Sequence, residues 1–238
     1  MQSIFERHEE KYLVTKEQGA ALQRLIAQNM VIGQLGDYFV HNVYYDTGNW
    51  DIIRASIEKP MYKEKLRLRF YGQYNPESQG FLELKKKFDG VVYKRRIAFP
   101  LGELKRRCVR EIVSTYDSQI SREIGFFLRS NPVSEKAYIA YKRIAYADTE
   151  DRDLRITFDK DIFFHLCPLD NYNPQNGRRL LEHNQTVMEI KTTGAIPLWL
   201  TQALSEHNIF PVSFSKYGIC YAGHIFKSQN LEEVRNVA

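Results

Sequence analysis

Charged and apolar residues alternate along much of this chain with a period of two. Lys65, Arg67 and Arg69 fall on one side of an extended segment, and Leu66, Leu68 and Phe70 on the other. Successive side chains of a strand point to opposite faces, so the pattern predicts a strand with one charged and one apolar face. The same holds for Glu83, Lys85 and Lys87 against Leu82, Leu84 and Lys86, for Lys94 with Arg96, and for Arg155 with Thr157 and Asp159. Glu189 and Lys191 alternate with Met188 and Ile190, and Arg7, Glu9 and Lys11 share a face near the start. The predicted strands are Ile4–Val14, Val40–Asp46, Lys63–Gly72, Phe81–Phe88, Val91–Phe99, Ala137–Asp148, Leu154–Asp159 and Thr186–Thr193. Most are joined by short turns and do not alternate with helices. That predicts an α+β fold with an antiparallel sheet.

Four segments carry helical periodicity instead. The first, Lys16 to Met30, opens on a capping box of Thr15 and Gln18 and places Leu22, Leu25, Ile26 and Met30 in one stripe. The second is Leu101 to Val113, with Leu101, Leu104, Cys108 and Ile112 on one side. The third is Ser118 to Arg129, ending before Asn131-Pro132, and the fourth runs from Pro197 to His207. Turns are marked by Gly72 to Gly80, by Phe88-Asp89-Gly90, and by the polar stretch Cys167 to Gly177.

One charged strand face ordinarily faces water. Several faces with the same cationic bias are different, because like charges on adjacent strands destabilise a sheet. A bound polyanion would relieve that cost. The four helices are available to bury Leu66, Leu68, Leu82, Leu84 and Ile190. The expectation is therefore an antiparallel barrel of about eight strands, with helices outside and a charged tunnel just wide enough for one chain-like ligand. Lys and Arg in such a space grip phosphate, Arg bidentately.

The chain has 238 residues, 43% of them hydrophobic, which suits one domain over 1–238 with a real core. Its net charge of +5 fits a phosphorylated small molecule, nucleic acid or an anionic surface. Cys108, Cys167 and Cys220 are scattered, with no metal-ligand spacing, which points to a reducing compartment. The first residues carry no apolar signal-peptide core, and no run of about 18 apolar residues occurs, so a cytoplasmic location is expected.

Several short motifs in order resemble the VTC domain, the polyphosphate polymerase module of the triphosphate tunnel metalloenzyme (CYTH-like) group. They are Glu9-Glu10-Lys11-Tyr12, Val43-Tyr44-Tyr45-Asp46-Thr47, Arg67-Leu68-Arg69-Phe70-Tyr71-Gly72, Leu82-Glu83-Leu84-Lys85 and Tyr141-Lys142-Arg143-Ile144-Ala145-Tyr146. Arg155-Ile156-Thr157-Phe158-Asp159, Met188-Glu189-Ile190-Lys191 and Phe214-Ser215-Lys216-Tyr217 complete the series, so the resemblance spans roughly Glu6 to His224. It implies a tunnel, a divalent metal (manganese or magnesium), and transfer of the γ-phosphoryl of ATP onto a growing polyphosphate. It also implies that Lys11, Arg67, Arg69, Lys85, Lys94, Arg143, Arg155 and Lys216 contact phosphate and that Glu189 binds the metal. Glu9 resembles the middle carboxylate of the E-x-E-x-K strand of the wider group, with Arg7 in place of its first Glu. The family often shows K-F-S-K near its end, where this chain has Ser213-Phe214-Ser215-Lys216. One tunnel lysine is missing, which bears on polymer affinity and product length more than on nucleotide binding.

Phosphoryl transfer asks for positioning and charge neutralisation, not a covalent nucleophile. On this reading Glu189, with Glu9, holds the metal. Lys11, Arg67, Arg69 and Arg143 neutralise the transferred group, and Lys65, Lys85, Lys87, Lys94, Arg96, Arg155, Lys191 and Lys216 bind the phosphate chain. If water attacks in place of a phosphate, the same residues make a triphosphatase. A non-catalytic polyphosphate or nucleotide binder is a further class, although carboxylates in a basic tunnel serve an anion binder poorly. RNA binding has the least support. The resemblance leaves room for a membrane-embedded partner. Blander roles stand beside these: an exposed Glu189–Lys191 ion pair, Arg143 paired with Asp148 or Asp159, and Lys216 as a surface lysine on a terminal helix. His41, His165 and His207 read as structural. Tyr44, Tyr45, Tyr71 and Tyr146 read as packing residues, one of which could hold adenine.

Overall fold

The computed structural model describes residues 8–89, 91–148, 153–167 and 172–225. Arg7, the first residues of the expected Ile4–Val14 strand, Gly90 of the hairpin turn and residues 168–171 of the polar loop lie outside them. The strands are β1 (His8–Thr15), β2 (Val31–Asp46), β3 (Tyr62–Tyr71), β4 (Gln79–Phe88), β5 (Val91–Pro100), β6 (Ser134–Ala147), β7 (Arg155–Leu166), β8 (Arg178–Arg179) and β9 (Gln185–Thr192). The helices are α1 (Lys16–Asn29), α2 (Asp51–Ile57), α3 (Val109–Ser114), α4 (Gln119–Ser130), α5 (Leu198–Glu206) and α6 (Lys216–Cys220). The fold is α+β, built on a nine-stranded sheet in the order β1-β9-β7-β6-β2-β3-β4-β5, with β8 beside β7. The β1–β9, β7–β9, β2–β3, β3–β4 and β4–β5 pairings are antiparallel.

The sheet is open, which corrects the expectation of a closed barrel: its path has two ends, β1 and β5. The outer edge of β1 is met by an irregular stretch of chain. Tyr12 bridges Pro211, and the Val212 amide donates to the Lys11 carbonyl at 2.7 Å. A proline has no N–H with which to extend a ladder.

The chain divides into two compact units, and β2, β6 and β7 each contribute residues to both. Of the described residues, the first unit comprises 8–39, 141–148, 153–162 and 179–215. Its core joins Tyr12 and Val14 of β1, Ile156 and Phe158 of β7, and Met188 and Ile190 of β9 to Leu22 and Ile26 of α1 and Leu200, Ala203 and Leu204 of α5. Helix α1 starts where the sequence places it. The Thr15 hydroxyl accepts from the Gln18 amide at 3.2 Å, and the Gln18 side chain accepts from the Thr15 amide at 2.9 Å. In α5, Pro197 is the capping residue and not the first helical one.

Of the described residues, the second unit comprises 40–89, 91–140, 163–167, 172–178 and 216–225. Its core packs Leu66, Leu68 and Phe70 of β3 and Leu82 and Leu84 of β4 against Leu101, Ile112, Val113, Ile124, Phe127 and Leu128. In both units the helices cover the apolar strand faces, as the alternation predicts. The expected helix Leu101–Val113 is two pieces: a 3-10 turn at Leu101–Lys105, then α3. The Leu101 and Gly102 amides are taken by the Ser78 and Pro76 carbonyls, and Glu111 caps a fresh start by accepting from the Cys108 amide at 2.9 Å.

Candidate functional site

Apart from Lys216 on α6, the residues read as functional fall on the strand faces turned away from the two cores, and each unit carries its own charged face. In the first unit, antiparallel register sets Glu9 opposite Lys191 and Lys11 opposite Glu189 on β1 and β9. On the other side of β9, Arg155 and Thr157 of β7 face Lys191 and Glu189. Lys191 Nζ lies 2.7 Å from Glu189 Oε1 and 3.8 Å from Glu9 Oε2, so one ammonium joins the two carboxylates. Lys11 Nζ lies 2.9 Å from Glu9 Oε1 and donates to the Phe214 carbonyl at 3.3 Å. Glu189 is buried, at 6% exposure, and its Oε2 lies 3.9 Å from Arg143.

Arg143 makes a two-pronged contact with Asp159: Nε donates to Oδ1 at 2.6 Å and Nη2 to Oδ2 at 2.7 Å. Burial disfavours its charge, but Asp159, Tyr141 and Glu189 outweigh that and hold it firmly cationic. The Asp159 pairing weighed in the sequence is therefore present, and it fixes the guanidinium beside Glu189.

In the second unit the registers of β3, β4 and β5 stack the charges in rows. Lys63 faces Lys87; Lys65 faces Lys85, which faces Lys94; Arg67 faces Glu83, which faces Arg96. Glu83, 1% exposed, is the acid at the centre. Arg67 Nε and Nη2 both approach its Oε2 at 2.9 Å, Arg69 Nε stands 4.0 Å from the same oxygen, and Lys94 Nζ lies 2.5 Å from Oε1. Burial pushes the Glu83 carboxyl up, but Arg67, Arg69 and Lys94 prevail and hold it at about 2. Asn42 of β2 orients Arg69: its Oδ1 accepts from Nε at 2.9 Å while its Nδ2 donates to the Ile139 carbonyl at 3.1 Å. The Arg96 guanidinium sits 4.9 Å over the Phe81 ring.

Lys216, half-buried, opens α6. The next residue anchors that helix: Tyr217 stacks on Tyr44 with centroids 4.4 Å apart and donates to Asp46 at 2.9 Å. Tyr45 donates to Glu135, and Tyr146 meets Phe158 edge-on. These tyrosines pack. His41 is buried between Tyr138 and the Gly72 carbonyl, 2.6 Å from each, and burial pulls its pKa down to about 4, which keeps it neutral.

The sequence reading did not single out Glu83, Asn42 or Asp159 as site residues. Glu83 carries a readable signal, the lone acid in the Glu83-x-Lys85-x-Lys87 run. Its cationic partners depend on hairpin register, which residue spacing does not state.

An antiparallel sheet with helices on its apolar faces and Lys and Arg on the others is the class of fold to which the comparisons apply. The VTC domain family matches residues 6–224, and the chain belongs to that family. A solved structure from Bacillus halodurans, provisionally named an adenylate cyclase, has a similar fold: TM-score 0.52 at 16% identity, over 88% of this chain and 95% of that one. A second, from Vibrio parahaemolyticus and named the same way, aligns over 92% of this chain and 98% of its own at 11% identity, with a TM-score of 0.46. No curated protein matches the sequence significantly.

Membership of the VTC family implies a divalent metal. Among the described residues no three His, Cys, Asp or Glu side chains converge to cage an ion. The donors present are Glu189 and Glu9, diagonal neighbours across the β1–β9 ladder already bridged by the Lys191 ammonium. Magnesium-type ions are commonly held by one or two carboxylates plus substrate phosphates. The pair fits that mode of binding. Among the described residues, no helix is long and apolar enough to cross a membrane.

Proposed function

We propose that this protein is a metal-dependent phosphotransferase that transfers the γ-phosphoryl of ATP to a growing polyphosphate chain. The observation that carries the reading is the row Lys65–Lys85–Lys94, three cations directly opposed across three strands. Opposed like charges cost stability. A strip of regularly spaced cations with a single buried acid below it suits a ligand that repeats its negative charge along a chain.

In the first unit, Glu189 with Glu9 would hold manganese or magnesium, which supplies charge neutralisation on the nucleotide triphosphate. Arg143, fixed by Asp159, and Lys11 offset negative charge on the transferred group. On the second unit's own face, Arg67 and Arg69 offset the charge of phosphates bound there. Lys65, Lys85, Lys87, Lys94, Arg96, Arg155, Lys191 and Lys216 bind the phosphates of nucleotide and polymer. Membership of the VTC family supports this assignment.

One observation favours a second reading, a tripolyphosphatase or nucleoside triphosphatase on the same residues. Ser213 is exposed on the stretch laid along β1, where the family often has a lysine. A weaker hold on the polymer favours attack by water. The test is incubation with ATP and manganese, with and without a pyrophosphate primer, followed by gel separation of products. A ladder of polyphosphate with release of ADP is expected. Free phosphate without a ladder makes the protein a triphosphatase. Binding of polyphosphate with neither product makes it a binder. Glu189→Gln is expected to lose metal-dependent turnover, and full turnover in that variant removes Glu189 from the metal site.

A further inference from the structure

Thr157 stands in the middle of the first unit's charged face. It lies between Arg155 and Asp159 on β7, while Ile156 and Phe158 on either side of it go into the core. Register places it directly across from Glu189, whose other neighbour in the row is Lys11. Thr157 is 8% exposed, and its Oγ1 is buried without a hydrogen-bond partner. The Glu189 carboxylate opposite does not serve it, being drawn instead to Lys191 at 2.7 Å and to Arg143 at 3.9 Å.

A hydroxyl carries one donor and two acceptor positions, and burying it without a partner costs stability. Valine has the same shape without that cost, so packing in the ligand-free protein gives no reason for the hydroxyl. On this face Arg155 and Asp159 flank it along β7 and Glu189 stands opposite, and Glu189 in turn neighbours Lys11, Lys191 and Arg143. An oxyanion drawn to those cations supplies the missing acceptor. We infer that the Thr157 hydroxyl is a ligand-binding group of this face, donating to a phosphate oxygen of the bound nucleotide or polyphosphate. The inference rests on the phosphate-binding reading above and adds a neutral donor to its cations. A hydrogen bond to a charged oxygen is short and strong, and direction-dependent in a way that lysine contacts are not.

The test compares the full chain with Thr157→Val and Thr157→Ser by calorimetric titration with tripolyphosphate, once with EDTA and once with manganese. The valine variant is expected to bind about tenfold to a hundredfold more weakly in both conditions. Its melting temperature without ligand is expected at or above that of the wild type. The serine variant, which keeps the hydroxyl, is expected to bind nearly as the wild type does. Equal binding by the valine variant overturns the inference, as does equal loss in the serine variant. A loss confined to manganese would make the hydroxyl a partner of the metal's water and also overturns it, and a lowered melting temperature for valine would mean the free protein already uses the hydroxyl. If the wild type binds no tripolyphosphate, the proposed function fails first and the inference falls with it.

Discussion

Glu83 shows most clearly how single residues set the chemistry of the second unit. It is an acid buried among Arg67, Arg69 and Lys94, and its carboxyl is held at about 2 against the ordinary 4.5. A lowered folded pKa stabilises the protein above the unfolded value, and that contribution is lost as pH falls through the folded one. The wild type should therefore lose about 3 kcal/mol of stability through this group between about pH 5 and pH 2. Glu83→Gln should remove that pH-dependent component and destabilise the protein at neutral pH by about 3 kcal/mol, since it leaves the cations without their acid. The same variant should bind tripolyphosphate more tightly, because the competing anion is gone. Urea denaturation across pH and calorimetry check the two halves. Weaker phosphate binding in Glu83→Gln would mean that Glu83 positions the arginines more than it competes with the ligand.

At the scale of elements, the strand faces depend on what packs behind them. Gly80 begins the core-facing part of β4, and a Cβ there would stand 2.6 Å from Leu101 Cδ2 and 3.2 Å from Leu68 Cδ1. Gly80→Ala should cost about 1–3 kcal/mol by overpacking, read as a lowered urea midpoint with unchanged slope. An unchanged midpoint would show that the Leu101 turn yields. The alternation of Lys65, Arg67 and Arg69 with Leu66, Leu68 and Phe70 made β3 and its charged face readable, and Thr15 with Gln18 made the start of α1 readable. Three features were not. Gly33 and Gly36 look like breakers, yet β2 runs through both, with Gly33 close against Ala145 and Gly36 at φ 58°. Helix α2 is too short for a periodic signal and is fixed by the Asp46 carboxylate, which accepts from the Thr47, Ile52 and Ile53 amides. The open edge of β1 is covered by residues 211–212, which have no strand pattern. The β2 extension and the cover on β1 depend on contacts distant in sequence, and α2 on a single side-chain cap; periodicity informs about none of these.

Across the whole molecule the same rule appears twice: each unit buries one face of its strands under helices and carries Lys and Arg on the other. The site residues were legible as types on faces; the rows they form were not, because rows are set by register. The central claim is that these rows bind a phosphate chain. The most direct measurement is calorimetric titration of the wild type and of a Lys65→Ala/Lys85→Ala double variant with tripolyphosphate at two salt concentrations. The account predicts saturable binding by the wild type that weakens as salt rises, and binding about tenfold weaker or more in the double variant. No binding by the wild type, or affinity indifferent to both salt and the two lysines, would contradict it.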